Sequence, residues 1–357
     1  MNKRILIISY AFDEPNLVGS FRCTYWAKQL AIMGEKVMVI TASSRPHIDE
    51  KNLEILEILD KKKSRFPFIA DQGYGWMKSI SSILFQEFRP EAFSTIIISG
   101  GPFLQMLWSR KLKKRFNTKL ILDFRDPFAL NPRFSDSFLK KLAKSFLERQ
   151  MCRFADEVIT VNKFTGDLLA CPKEKIHIIE NGFNEEVINS VSTGDTIKGR
   201  IVHAGKVGID RDPLPFINAV QAIGSVSFEH FGNKIENAPK SEQIILHDFV
   251  PYEEVLEAIS KAEIGLVLTG GDPFVSTTKI FDYIGLNKKV IIVTNGKLHS
   301  GSLGEISKRN PNIFWSENNQ KSITEVLQLA LEKVHIDIFN YEFSRKHEFE
   351  KLKSIIL

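Results

Sequence analysis

Short apolar, β-branched runs alternate along this chain with longer stretches that place apolar residues at helical spacing. In the first half the apolar runs fall at 5–9, 36–41, 95–99, 119–123 and 157–161, with a shorter one at 176–180. Helical patterns lie between most of them, at 21–33, 75–87, 103–116, 136–154 and 163–169. A continuous apolar run suits a strand covered on both faces of a parallel sheet, and its alternation with helices predicts a doubly wound α/β domain. Residues 183–199 are polar and unpatterned, so a linker is expected there. A second alternation begins at Arg200, with strands expected at 201–204, 226–231, 244–247, 264–268, 289–293 and 313–315. Helices are expected at 213–222, 252–261, 278–285, 304–308 and 322–333, and a last helix over 339–357. The expected organisation is a first α/β domain (1–182), the linker (183–199), a second α/β domain (200–338) and the final helix.

Composition narrows the class. The chain has 357 residues, enough for two ordinary domains, and its 43% hydrophobic and 25% charged content fits a globular fold. No apolar run approaches the roughly 20 residues that span a bilayer. Met1-Asn2-Lys3-Arg4 and Ile5–Ile8 begin like a signal segment, but the run is short and Asp13-Glu14 follow, so a first strand is expected. Three scattered cysteines, Cys23, Cys152 and Cys171, fit a reducing cytoplasm rather than a disulfide framework, and no Cys/His cluster has metal-ligand spacing. The net charge of +5 is uneven: residues 101–154 hold thirteen Lys or Arg against four Asp or Glu. That region asks for an acidic partner, such as a membrane surface or a phosphorylated acceptor. No nucleic-acid recognition motif accompanies it.

The segment Val275-Ser276-Thr277-Thr278-Lys279-Ile280-Phe281-Asp282-Tyr283-Ile284-Gly285 carries the most chemistry. It lies between two expected strands and follows the loop Thr269-Gly270-Gly271-Asp272-Pro273. Ser276, Thr277 and Thr278 offer hydroxyls and backbone N–H groups at a helix start, where anionic groups are favoured. Lys279 adds a cation, and Asp282 follows on the same helix face. A phosphate-binding set one turn from a carboxylate suits a nucleoside diphosphate with its ribose.

Here the chain resembles the GT-B glycosyltransferases, in particular the retaining glycosyltransferase family 4. The run from Lys279 to Val290 is similar to the family's donor-site helix, K-[LF]-[FY]-E-Y-[LI]-A-x-G-K-P-V, with Asp282 for the usual Glu. The family's second Glu, eight residues earlier, falls on Phe274, and the nearest acid is Asp272. Gly19-Ser20 and Arg22 stand where the family has its first glycine loop, and Gly205-Lys206 with Arg211 where it has two phosphate-binding cations. Gly100-Gly101-Pro102 ends an expected strand, and Asp123-Phe124-Arg125-Asp126-Pro127 resembles a D-x-R-D-P tag of members that build surface polysaccharides. In that tag Asp123 and Arg125 are alternatively a plain ion pair.

The resemblance implies two Rossmann-like domains facing across a cleft, with the final helix crossing back to the first. It implies transfer of a sugar from a nucleotide-sugar donor to a glycan acceptor, with retention and without a metal or other cofactor. Donor contacts are then expected from Gly19, Lys206, Arg211, Asp272, Ser276, Thr277, Thr278, Lys279 and Asp282. Acceptor-side contacts are expected from Gly101, Arg125 and Asp126, and the catalytic candidates are Asp126, Lys206 and Arg211. Two alternatives stay open: a nucleotide-sugar epimerase or hydrolase, for which His203 is the candidate acid–base group, and a non-catalytic binding relative, which Phe274 favours.

Finally, the helix expected at 136–154 is amphipathic and basic. Phe138, Leu139, Leu142, Ala143, Phe146, Leu147 and Met151 form an apolar stripe flanked by Lys140, Lys141, Lys144 and Arg149. Such a stripe either packs on the sheet or lies on an anionic membrane. With the D-x-R-D-P tag, the second choice leads to a cytoplasmic enzyme, peripheral on the membrane, acting on a lipid-linked acceptor.

Overall fold

A computed structural model of the chain describes all residues except 1–2, 15–16, 45, 61–68, 70, 192–193 and 339. The described residues form two compact units, one of Met1–Glu180 with Lys351–Leu357 and one of Asn181–Glu350.

The first unit has strands β1 (Arg4–Ser9), β2 (Val37–Thr41), β3 (Leu53–Glu57), β4 (Phe93–Ser99), β5 (Lys119–Phe124), β6 (Glu157–Thr160) and β7 (Ile176–Ile178). Its helices are α1 (Val18–Ile32), α2 (Gly73–Glu87), α3 (Ser109–Phe116), α4 (Phe138–Phe154) and α5 (Lys163–Leu168). The strands form one sheet in the order β3-β2-β1-β4-β5-β6-β7, all parallel, with Ile7 facing Val39 on one side and Ile97 on the other. Helices cover both faces, which is why β1 is apolar from Ile5 to Ile8 and β2 from Val37 to Ile40. A fully buried Ile or Leu contributes roughly 1.5–3 kcal/mol by leaving water, so Ile97→Asp in this core would unfold the unit.

β3 lies outside the apolar runs of the sequence. It is an edge strand, part of each residue stays wet, and Glu54 and Glu57 interrupt its apolar signal.

The second unit opens with α6 (Glu185–Ser190), capped by the Asn184 side chain, which accepts from the Glu186 N–H. Thus residues 183–199, expected as a linker, carry a helix and the start of a strand; 192–193 lie outside the described residues. The strands are β8 (Ile197–Ala204), β9 (Ser227–Phe231), β10 (Ile244–His247), β11 (Ala262–Thr269), β12 (Lys289–Thr294) and β13 (Ile313–Glu317). The helices are α7 (Leu214–Ile223), α8 (Tyr252–Ser260), α9 (Lys279–Gly285), α10 (Gly301–Arg309) and α11 (Gln320–Glu332). The parallel sheet runs β10-β9-β8-β11-β12-β13, with one apolar cluster on each face.

The helix expected over 339–357 is observed as a 3₁₀ turn at Asn340–Phe343 and a helix, α12 (Arg345–Ile356); position 339 lies outside the described residues. Residues 351–357 group with the first unit, where Lys119 Nζ donates to the Ile355 carbonyl.

Both sheets share one topology. The first strand of each unit has the second on one side and the fourth on the other, so the loops after those two strands diverge and leave a crevice at the strands' carboxyl ends. Ligands of open α/β sheets bind at this switch point.

Candidate active site

In the second unit the switch point lies between β8 and β11, and Lys279 stands over it. Lys279 opens α9, a helix whose Ile280, Phe281, Tyr283 and Ile284 are buried. Tyr283 fastens it to the sheet, its hydroxyl donating to the carbonyls of Leu266 (3.1 Å) and Val202 (3.2 Å). Anchored this way, the helix lays the Lys279 ammonium directly on Gly205 at the end of β8. A methyl group built on Gly205 would fall 1.5 Å from Lys279 Nζ, and the residue's φ of +129° suits glycine.

The surroundings of that ammonium are unfavourable to its charge. Among the described residues it has no hydrogen bond and no ion pair. Burial first, and then the Arg211 guanidinium, lower its pKa to about 8, with only Asp282 acting the other way. Relative to an ordinary lysine this is roughly 3 kcal/mol of disfavoured charge. A cation at a helix N-terminus also opposes the helix dipole. An anion placed here would relieve all of these effects.

Arg211 sits on the loop after β8, held by a tight turn in which its N–H donates to the Gly208 carbonyl at 2.9 Å. Its Nε lies 3.3 Å from Asp210 Oδ2, and Asn295 Nδ2 donates to the Asp210 carbonyl at 2.9 Å, bracing this loop against the one after β12. Lys206, one residue past Gly205, is exposed. Ser276, Thr277 and Thr278 are half-buried in the loop before α9, whose N-cap Thr278 makes no side-chain cap bond.

Asp282 is 8% exposed, and its Oδ1 accepts from the Tyr252 hydroxyl at 2.7 Å. Burial raises its carboxyl pKa to about 6, against the Tyr252 bond and the charges of Arg345 and Lys279. Tyr252 stands thirty residues away in sequence, so nothing local announced this partnership. Asp272 is half-buried, with its carbonyl accepting from the Val275 N–H at 3.1 Å, and Phe274 is buried.

His203, the candidate acid–base group, is 3% exposed and bonds His230 through their Nδ1 atoms at 2.9 Å. His230 Nε2 faces the Asn233 carbonyl at 3.0 Å and therefore donates there, so His230 Nδ1 accepts and His203 Nδ1–H donates. Burial holds His203 neutral, and its one N–H is spent inside the sheet.

In the first unit the switch point lies between β1 and β4, and Arg125 fills it. Arg125 donates to the Gly100 carbonyl through Nη2 (2.6 Å) and Nε (3.1 Å), and to the Gly19 carbonyl through Nη1. A methyl group on Gly19 would lie 2.9 Å from that guanidinium. The alternative pairing of Asp123 with Arg125 is not what forms. Asp123 is fully buried, 3.3 Å from Arg22 Nε, and accepts from the Ser99 hydroxyl at 2.8 Å. Asp126 and Gly101 are exposed.

The stripe on α4 faces outward. Phe138 (79%), Leu139 (75%), Phe146 (59%) and Leu142 (57%) are exposed, whereas Lys144, Glu148 and Met151 are buried. Packing on the sheet by the apolar face is thereby ruled out for all of the stripe but its end. The inward face is polar: Lys144 bonds Asp136 at 2.5 Å, and Glu148 accepts from the N–H groups of Ala129 (3.1 Å) and Ala170 (2.6 Å). Among the described residues no helix is long and apolar enough to cross a membrane, and no cluster of three or more His, Cys, Asp or Glu is placed to hold a metal ion.

Residues 21–187 match the family model described as Glycosyltransferase Family 4. The fold extends over the whole chain in solved structures. Sucrose-phosphate synthase from Thermosynechococcus elongatus is 11% identical with a TM-score of 0.71, covering 99% of this chain and 98% of its own. The chain has the GT-B fold. HepE of Anabaena, solved in complex with UDP, is also similar, at 11% identity and a TM-score of 0.66 with 99% of each chain covered. The UDP-GlcNAc 2-epimerase of Methanocaldococcus jannaschii shares the fold at 10% identity and a TM-score of 0.59, again with 99% of each chain covered. No curated protein matches in sequence. The family match falls almost wholly in the first unit, whereas the donor-helix motif lies in the second.

Proposed function

We propose that this protein is a glycosyltransferase that binds a nucleoside-diphosphate sugar at the switch point of its second unit and transfers the sugar with retention, without a metal. The observation that carries the reading is the Lys279 ammonium, half-buried over Gly205 with Arg211 near it and no carboxylate bonded to it. Two half-buried cations do for a diphosphate leaving group what a divalent ion does elsewhere. Lys206 adds a third charge at the rim, and the hydroxyls of Ser276, Thr277 and Thr278 are further donors. Asp282, oriented by Tyr252, accepts from the ribose hydroxyls.

In the reaction the bond from the anomeric carbon to the phosphate oxygen breaks, leaving an oxocarbenium-like sugar. The acceptor oxygen attacks on the same face, and its proton passes to the departing phosphate. Lys279 and Arg211 stabilise the charge that develops on that phosphate. No covalent nucleophile is needed, and the bonded, buried His203 offers no acid–base group for an epimerase.

The acceptor is proposed to be lipid-linked, within surface-polysaccharide synthesis, and the enzyme peripheral on an anionic membrane. The outward apolar stripe of α4 and the excess of basic residues in 101–154 support this. A thermal-shift screen against UDP-, GDP-, ADP- and dTDP-sugars in EDTA tests the donor reading. One donor should raise the melting temperature of the wild type and not of Lys279→Ala. No stabilisation by any of them overturns the reading.

A further inference from the structure

A cavity of about 660 Å³ lies within the first unit, at the carboxyl ends of its strands, and α4 forms part of its wall. Its chemistry is divided. Phe103, Phe128 and Phe134 give it an aromatic lining, and Arg133, Lys140 and Lys144 supply cations. Two carboxylates also line it, and both are engaged internally. Asp71 accepts from the backbone N–H groups of Gly73 (2.8 Å), Phe103 (2.8 Å) and Leu104 (3.2 Å). Asp136 is bracketed by Lys140 and Lys144, each at 2.5 Å, which hold its carboxyl below the usual range. The cations outnumber the carboxylates, and Lys140, which bonds one carboxylate oxygen, has three protons to give.

The cavity and the exposed stripe belong to one piece of chain. Lys140 and Lys144 project from the helix that exposes Phe138, Leu139, Leu142 and Phe146, and the half-exposed Phe134 lines the cavity just before that helix begins. Lys144 is the joint: it bonds Asp136 and lies over the rings of Phe134 (5.1 Å) and Phe128 (5.3 Å).

We infer that this cavity takes the phosphate-bearing head of a membrane lipid, with Lys140 and Arg133 on the phosphate and the phenylalanine rings against the first carbons of the chain or sugar attached to it. The inference rests on the proposed lipid-linked acceptor and deepens it. It names phosphate as the recognised group and separates the head-group site from the docking stripe.

The test uses the full-length protein and hexyl phosphate as a soluble probe, with inorganic phosphate and hexyl glucoside as controls, read by calorimetry. Wild type should bind hexyl phosphate, and bind each control at least about tenfold more weakly, because a charge-assisted contact and the apolar contact are both needed. Arg133→Ala and Lys140→Gln should each weaken hexyl phosphate by about tenfold while melting like wild type. The double variant Phe138→Ser, Leu142→Ser should lose binding to anionic vesicles yet keep hexyl phosphate, which separates this site from the membrane reading. Equal affinity of wild type and both cation variants overturns the inference. So does inorganic phosphate binding as tightly as hexyl phosphate, or loss of hexyl phosphate binding in the stripe variant.

Discussion

The two units repeat one strand order, and each sets a cation over its switch point, but Arg125 and Lys279 live differently. Arg125 in the first unit spends its guanidinium on the carbonyls of Gly19 and Gly100. Lys279 in the second unit stands over Gly205 with no bond among the described residues and with another cation beside it. A planar fork bonded to backbone oxygens closes a crevice, whereas a half-buried ammonium with no carboxylate bonded to it leaves one ready for an anion. The same topological position therefore serves as a structural clasp in one unit and as a proposed donor site in the other.

If that contrast is right, the two substitutions to alanine fail in different ways. Lys279→Ala should lower transfer by about 10²–10³-fold, the scale for losing one preorganised contact to a developing charge. Its melting temperature should hold or rise, since a disfavoured buried charge is gone. Circular dichroism melts beside a transfer assay check both halves.

Arg125→Ala should do the reverse. Two carbonyls lose a charged donor, at a cost of about 2–3 kcal/mol to the first unit, visible as a lower urea midpoint. Arg125→Lys should recover little of this, because one ammonium cannot reproduce the fork.

Smaller effects sharpen the picture of the second unit. Asp282→Asn should weaken nucleoside diphosphate by about tenfold, the scale of one hydrogen bond to a charged group. Tyr252→Phe should weaken it less, since it removes only the hydroxyl that orients Asp282. Calorimetry separates the two.

The pH dependence of nucleotide affinity is the gentlest probe. Lys279, with a pKa near 8 in the free protein, loses its proton as pH rises through that value. The anion favours the protonated form, so binding then requires proton uptake. Affinity should be level below about pH 8 and fall by about tenfold per unit above it. In Lys279→Ala the fall should vanish.

Much of the fold was legible because parallel strands buried on both faces write themselves as apolar runs, and β10 is observed with the bounds expected from its run. The edge strand β3 and the short helix α6 were not, because half-wet elements carry a weak apolar signal. The site was legible where it is local: Lys279 and Asp282 lie one turn apart on α9. What makes them informative is not local. Gly205 beneath Lys279, Tyr252 on Asp282 and His230 on His203 meet only through the sheet. The stripe on α4 was legible as a stripe, but its outward direction was not. Buried Lys144 and Glu148 decide it through Asp136, Ala129 and Ala170.

The central claim is that Lys279 waits for a diphosphate. It is tested most directly by the ammonium's own titration. In protein carrying ¹³C-labelled lysine, the Cε resonance of Lys279, assigned by its absence in Lys279→Arg, can be followed against pH with and without the nucleoside diphosphate that stabilises the protein most. The account predicts a midpoint near 8 in the free protein, moving up by more than about one unit when the nucleotide is bound. A midpoint that is the same with and without saturating nucleotide would contradict it.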